Sequence, residues 1–276
     1  MSAEQARRAA RAGARSWFEQ TSRVQVSGSY DDRETSLSRD VCVEIGVALC
    51  PVEPRRVLDV GCGGGGGLHR LREVLPDAAL IGIDPSRGAI REARQRMAND
   101  SDCLTICTSV EELTMNHPDG GFEREVGDFD LILIHLSLGL LDDPPSALEA
   151  LMSMLADGGR CYLVDLIRPD DWNGHDVPKT FNALHEEERA YLRDQLAASY
   201  SLRELEELTA QVAQSSGVCG QVRRGGLGGY PPNSPQGRAL WAKAPRLGAL
   251  LAGGGARAGS AGQMDDVVHL EFWRSE

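Results

Sequence analysis

The chain has 276 residues, a formal net charge of −12 and a hydrophobic fraction of 41%, enough to bury one substantial core. Its acidic balance argues against a nucleic-acid partner, which needs a basic face to offset phosphate charge. No apolar run approaches the roughly 18 to 20 residues of a membrane span, and no apolar signal core follows the Arg-rich N-terminus, so a cytoplasmic protein is expected.

In chain order, Ala3 to Glu19 has helix-forming composition, and Ser36 to Cys50 reads as a second helix with Ser36 as its cap and Pro51 as its stop. Strands are predicted at Val57 to Val60, Leu80 to Ile83, Cys103 to Cys107, Asp130 to Ile134 and Arg160 to Leu166. Helical patterns separate them at Gly67 to Val74, Ser86 to Ala98 and Ser146 to Leu155. This alternation predicts a parallel sheet covered by helices on both faces. Beyond it, Tyr191 to Leu196 and Ser201 to Ser215 read as amphipathic helix, and Val267 to Trp273 as a closing strand.

The seven cysteines include no C-x-x-C pair, so they read as reduced thiols with no metal site. Cys62, Cys107 and Cys161 are expected to behave as small apolar residues in or beside core strands. Four regions follow: a helical cap over 1–50, a core over 51–225, a Gly/Pro-rich basic insertion over 226–264, and the closing strand over 265–276. From Ala210 to Met264 there is no Asp or Glu, whereas Arg223, Arg224, Arg238, Lys243, Arg246 and Arg257 occur. That tract reads either as a surface loop or as a receiver for an acidic peptide or carrier protein. Arg168 to Phe181, with Trp172 and His175, is either a lid or a loop tucked on the core.

Chemistry concentrates where Val57-Leu58-Asp59-Val60 runs into Gly61-Cys62-Gly63-Gly64-Gly65-Gly66-Gly67. A strand ending in glycines lets the backbone turn sharply and lets a ligand lie directly on it. The next strand ends in Asp84, where a wound α/β sheet commonly grips a ribose diol, so an adenosine-containing cofactor is expected. Gly61, Gly63 and Gly66 satisfy the dinucleotide pattern G-x-G-x-x-G, but Asp59 stands where an arriving pyrophosphate would be repelled. A carboxylate there suits a cationic ligand.

Asp59, Gly61, Gly63 and Gly65 together resemble the first motif of the class I S-adenosylmethionine-dependent methyltransferases. The resemblance runs over about residues 36–225, through Phe129 to Leu138, Leu141 to Pro144, and Leu155 to Asp165. It implies a Rossmann-like doubly wound sheet, mostly parallel with an antiparallel last strand, preceded by N-terminal helices. It also implies S-adenosylmethionine as cofactor. Gly61, Cys62, Gly63 and Gly65 would meet its methionine part, with Asp59 orienting that loop or facing the ammonium group. Asp84 and Pro85 would meet the ribose, and Ser109-Val110-Glu111 the adenine, through either Ser109 or Glu111. Asp165 would share the ligand edge, and His135 would lie beside the cofactor as a general base or a hydrogen-bonding spacer. The Asn-Pro-Pro-Tyr run of amide and base N-methyltransferases is replaced here by His135-Leu136-Ser137-Leu138. Methyl transfer to O, N or C of a small-molecule metabolite is the first reading. A peptide or protein methyltransferase, a regulatory cofactor-binding domain and an NAD-dependent oxidoreductase are the alternatives.

Overall fold

The computed structural model describes residues 3–21, 33–116, 128–174, 186–225, 230, 234–244, 246 and 267–275. Seven strands form one sheet in the order β3-β2-β1-β4-β5-β7-β6: β1 (Arg56–Val60), β2 (Ala79–Asp84), β3 (Cys103–Cys107), β4 (Phe129–His135), β5 (Leu155–Leu166), β6 (Cys219–Arg224) and β7 (Val267–Trp273). The first five pair in parallel, and β7 lies antiparallel between β5 and β6. The helices are α1 (Ala3–Thr21), α2 (Arg33–Leu49), α3 (Gly66–Val74), α4 (Arg87–Arg96), α5 (Val110–Asn116), α6 (Pro144–Ser153), α7 (Glu186–Ala198), α8 (Leu202–Ser216) and α9 (Pro235–Lys243). Among the described residues no helix is long and apolar enough to cross a membrane.

The central strands are apolar on both faces because both faces are covered. In β4, Leu131 and Leu133 pack with Ile45 of α2 and Leu68 of α3, whereas Ile132 and Ile134 pack with Leu148 of α6 and Leu205 of α8. The period of two thus divides one strand between two cores. Local chemistry sets the helix ends. Ser86 caps α4 by accepting from Ala89 N at 3.3 Å, and Ser201 opens α8 in a capping box with Glu204 before Gly217 ends it in a left-handed turn.

Three expectations need correction. The helix α2 begins at Arg33, so Ser36 lies inside it and is not its cap. Cys107 is exposed, because β3 is an edge strand, where Leu104 is also 52% exposed. Within the 226–264 tract, Pro235–Lys243 form a helix where a surface loop was expected. Ser234 accepts from Gly237 N at 2.8 Å to cap α9, and Pro235 follows at the first turn, where its missing N–H costs nothing. Leu240 and Tyr230 are 4% and 3% exposed. Trp241 Nε1 donates to Tyr230 O at 2.9 Å, and Tyr230 OH donates to Glu271 of β7 at 3.1 Å.

Two of the tract's cations are used internally. Lys243 Nζ donates to Cys50 O just past α2 at 3.2 Å, and Arg246 Nη1 to Glu73 O in the last turn of α3 at 3.2 Å. Cations at helix C-termini meet unpaired carbonyls and the negative end of the dipole, so these charges dock the insertion onto the core. Arg257, His175 and Phe181 lie outside the described residues.

Truncating Leu240 to Ala therefore should cost about 2–4 kcal/mol of unfolding free energy by cavity formation, measured by urea titration. A loop free of the core would show a change within about 0.5 kcal/mol.

Candidate cofactor and methyl-transfer site

The strand order reverses between β1 and β4, and a cavity of about 330 Å³ opens there at the carboxyl ends of β1, β2 and β4, the position that wound sheets offer to ligands. Asp59, Gly61, Cys62, Gly63, Asp84, Pro85, Ser109, Val110, Glu111 and His135 all line it. Gly65 and Asp165 do not. Gly65 instead caps α3 with φ 81°, and a Cβ there would sit 3.0 Å from the Ala93 backbone. Gly61, at φ 71°, lies so close to Ser137 that any Cβ would strike its hydroxyl. These two positions require glycine for different reasons: one for helix packing, one for close approach across the cavity floor.

Asp84 holds the loop in place. Its Oδ2 accepts from Gly63 N at 3.0 Å and its Oδ1 from Ser86 N at 2.8 Å. The same carboxylate lines the cavity. Asp59 is buried, with Oδ2 beneath Gly67. Burial, and then the neighbouring Asp84 carboxylate, push its pKa up to about 7, while Arg39 opposes the rise. Removing a carboxylate from water disfavours its charged form, so Asp59 is poised to ionise when a cation arrives.

At the other end of the cavity, Ser109 Oγ accepts from Glu112 N and Ser109 N donates to Glu112 Oε2, both at 3.1 Å. This reciprocal pair is a capping box that opens α5. The S-x-x-E spacing was there to be read in the sequence. Glu111 Oε1 accepts from Asp142 N at 2.8 Å. Both candidates for adenine recognition thus also have structural partners.

His135 Nε2 lies 2.9 Å from Ser38 Oγ of α2. Burial, and then the Arg39 guanidinium, lower its pKa to about 3, so the imidazole is neutral at physiological pH. A general base works best with a pKa near the operating pH, and the geometry favours the hydrogen-bonding spacer over the base. Asp165, expected on the ligand edge, turns away from it. Its carboxylate accepts from Leu138 N and Leu166 N, each at 2.7 Å, which fixes the turn after β4. Leu136, in that turn, takes φ 53°, a strained value for a leucine that only its surroundings can hold.

Several cavity residues escaped the sequence reading, Arg39 and Tyr191 among them. Arg39 of α2 lies against Gly66, where α3 begins, so that a guanidinium and the positive end of a helix dipole face one spot. Tyr191 of α7 lines the cavity with its hydroxyl accepting from Gln195 Nε2 at 2.8 Å. Neither has a local signal, because each reaches the cavity only through helix packing.

A family model described as a methyltransferase domain matches residues 58–161. Two solved structures resemble the chain along nearly its whole length. The plantazolicin methyltransferase BamL, in complex with a triazolic desmethylPZN analog and SAH, is 28% identical with a TM-score of 0.81, covering 99% of this chain and 98% of that one. The plantazolicin methyltransferase BpumL in complex with SAH is 28% identical with a TM-score of 0.76, covering 97% and 96%. These likenesses indicate a class I S-adenosylmethionine-dependent methyltransferase. Among curated relatives, the trans-aconitate 2-methyltransferase of Yersinia pestis (strain Pestoides F) is 31% identical over 106 residues, 38% of this chain and 36% of that protein. The first relatives matched are covered over only 25% to 36% of their own length.

The residues of this methyltransferase fit S-adenosylmethionine. Of the cavity residues, Asp84 would meet a ribose diol, Asp59 would place a negative charge below the cationic end, and Arg39 with the start of α3 would seat the carboxylate. Removing the Asp84 carboxyl (Asp84→Ala) should weaken S-adenosylhomocysteine binding about 10- to 100-fold in titration calorimetry, the size of one or two hydrogen bonds to a charged group.

Asp59 gives a pH signature. Its folded-state pKa is raised to about 7, so ionising it costs the ligand-free protein stability as pH rises from the ordinary carboxylate range through 7. The cationic cofactor favours the ionised form, so its affinity should rise with pH across that same value and flatten above it. Asp59→Asn should remove this slope in calorimetry performed across the range.

Proposed function

We propose that this methyltransferase acts on a nitrogen nucleophile of a heterocycle-bearing peptide. The carrying observation is the extent of the likeness to the plantazolicin methyltransferases, 97% to 99% of the chain. The cavity is walled by residues from Arg15 of α1 to Tyr191 of α7, farther apart in sequence than the 106 residues matched to the Yersinia trans-aconitate enzyme. The shorter likeness therefore cannot include every element that faces an acceptor. The longer one does.

When bound, S-adenosylmethionine supplies an electrophilic sulfonium methyl, reactive enough that placement of the nucleophile provides much of the acceleration. Asp84 and the glycine loop fix the donor end. Ser38 holds the neutral His135 ring in one orientation, so the ring positions without taking a proton. A neutral amine fits such a site, since its lone pair is available before any proton leaves.

The second reading is a small anionic metabolite, favoured by Arg15 on the cavity wall and by the trans-aconitate likeness. Incubating the enzyme with deuteromethyl S-adenosylmethionine and, separately, a desmethyl plantazolicin analogue and trans-aconitate should label the peptide; label on the acid alone would reverse the order of the readings. His135→Gln should keep kcat within about tenfold. A loss of roughly 10²-fold or more would restore the general-base role.

A further inference from the structure

The turn after β4 forms a strap over the cavity. It runs from the 3₁₀ turn Leu138–Leu140 to Asp143, just before α6, and Leu140 and Leu141 face the cavity from it. Lying between a strand and a helix, it must satisfy much of its backbone through side chains. Acids take its N–H groups. Asp165 accepts from Leu138 N at 2.7 Å and Gly139 N at 3.4 Å, and Glu111 accepts from Asp142 N at 2.8 Å.

Arginines of α1 take its carbonyls. Arg11 Nε donates to Gly139 O at 3.2 Å and Nη1 to Asp142 O at 2.9 Å, while Nη2 donates to Tyr200 OH at 3.0 Å. One turn along, Arg15 donates to Leu140 O and pairs with Asp142 Oδ1. The i, i+4 spacing puts both on one helix face. Arg11 is 2% exposed, so its donors are met inside the protein, and a planar guanidinium can span two carbonyls where an ammonium cannot.

We propose that Arg11 is a positioning residue for the methyl-transfer site, setting through Gly139 O and Asp142 O the strap whose Leu140 and Leu141 wall the cofactor cavity. α1 is then part of the site and not an appended cap. The inference rests on the cavity being the cofactor site, but not on which acceptor it serves.

The test compares Arg11→Met, which keeps the aliphatic stem and drops the donors, with Arg72→Met as a control. Arg72 makes a similar set of contacts, to Asp100, Leu75 O and Pro76 O, outside the cavity lining. S-adenosylhomocysteine is the probe, with thermal unfolding measured in parallel. Arg11→Met should raise Kd roughly tenfold or more, as expected for losing hydrogen bonds from a charged donor. Arg72→Met should lower the melting temperature with Kd unchanged, and Arg11→Lys should recover part of the affinity.

Hydrogen exchange at the Leu140 and Leu141 amides of the ligand-bound protein should quicken in Arg11→Met and Arg11→Lys. Wild-type Kd in a folded Arg11→Met protein would overturn the proposal. If Arg11→Met does not fold, wild-type Kd in Arg11→Lys with quickened strap exchange would do the same. Failure of the unmodified protein to bind the probe would instead refute the cofactor reading itself.

Discussion

The Asp84 carboxylate bridges two backbone turns, and the cavity is built around that bridge. By accepting from Gly63 N and Ser86 N, it ties the glycine loop after β1 to the start of α4 after β2. Gly61 N and Cys62 N reinforce the tie by donating to Ile83 O at 2.8 and 3.0 Å. The loop therefore does not hang free from β1. Its curvature is referenced to the neighbouring strand, and the same carboxylate that fixes it lines the cavity. A group held by two amide donors needs little reorganisation to accept more.

This arrangement places two acids close together in a poorly hydrated site, and the field they create explains the chemistry around them. Asp84 is compensated by backbone amides, and Asp59 is left with a raised pKa. Arg39 is the cation that moderates both Asp59 and His135, lowering the pKa of each. For the imidazole this adds to burial, so the same guanidinium that suits an anionic carboxylate also keeps the ring beside it uncharged. Binding and the choice of proton state are coupled through one side chain.

Much of the fold was legible because its signals are local. The apolar runs that became β1 to β5 needed only a period and a length, and Ser86 and Ser201 announced their helices by position. The glycine loop and Asp84 were readable for a similar reason, since a strand followed by glycines and a strand ending in an acid are short patterns with direct physical meaning. α9 was missed because a tract rich in Gly and Pro looks unable to fold. Its order comes from Leu240 and Tyr230 reaching the core, and from cations seated on the ends of helices far away in sequence.

The rest of the cavity wall was illegible for a deeper reason. Arg11 meets Gly139, Asp142 and Tyr200 across 128 to 189 positions of sequence, and Ser38 meets His135 across 97. No spacing rule connects such residues before the sheet brings them together. Asp59 and Asp84 stand on adjacent, parallel strand ends, β1 and β2, so a short pattern brings them together. The rest of the cavity wall comes from α1, α2, α7 and the strap, joined to it by packing. The strand-end residues therefore sit in short motifs, whereas the residues of the surrounding helices reach the cavity only by packing. That division makes the extent of a likeness along the chain more informative about the acceptor than its percentage identity.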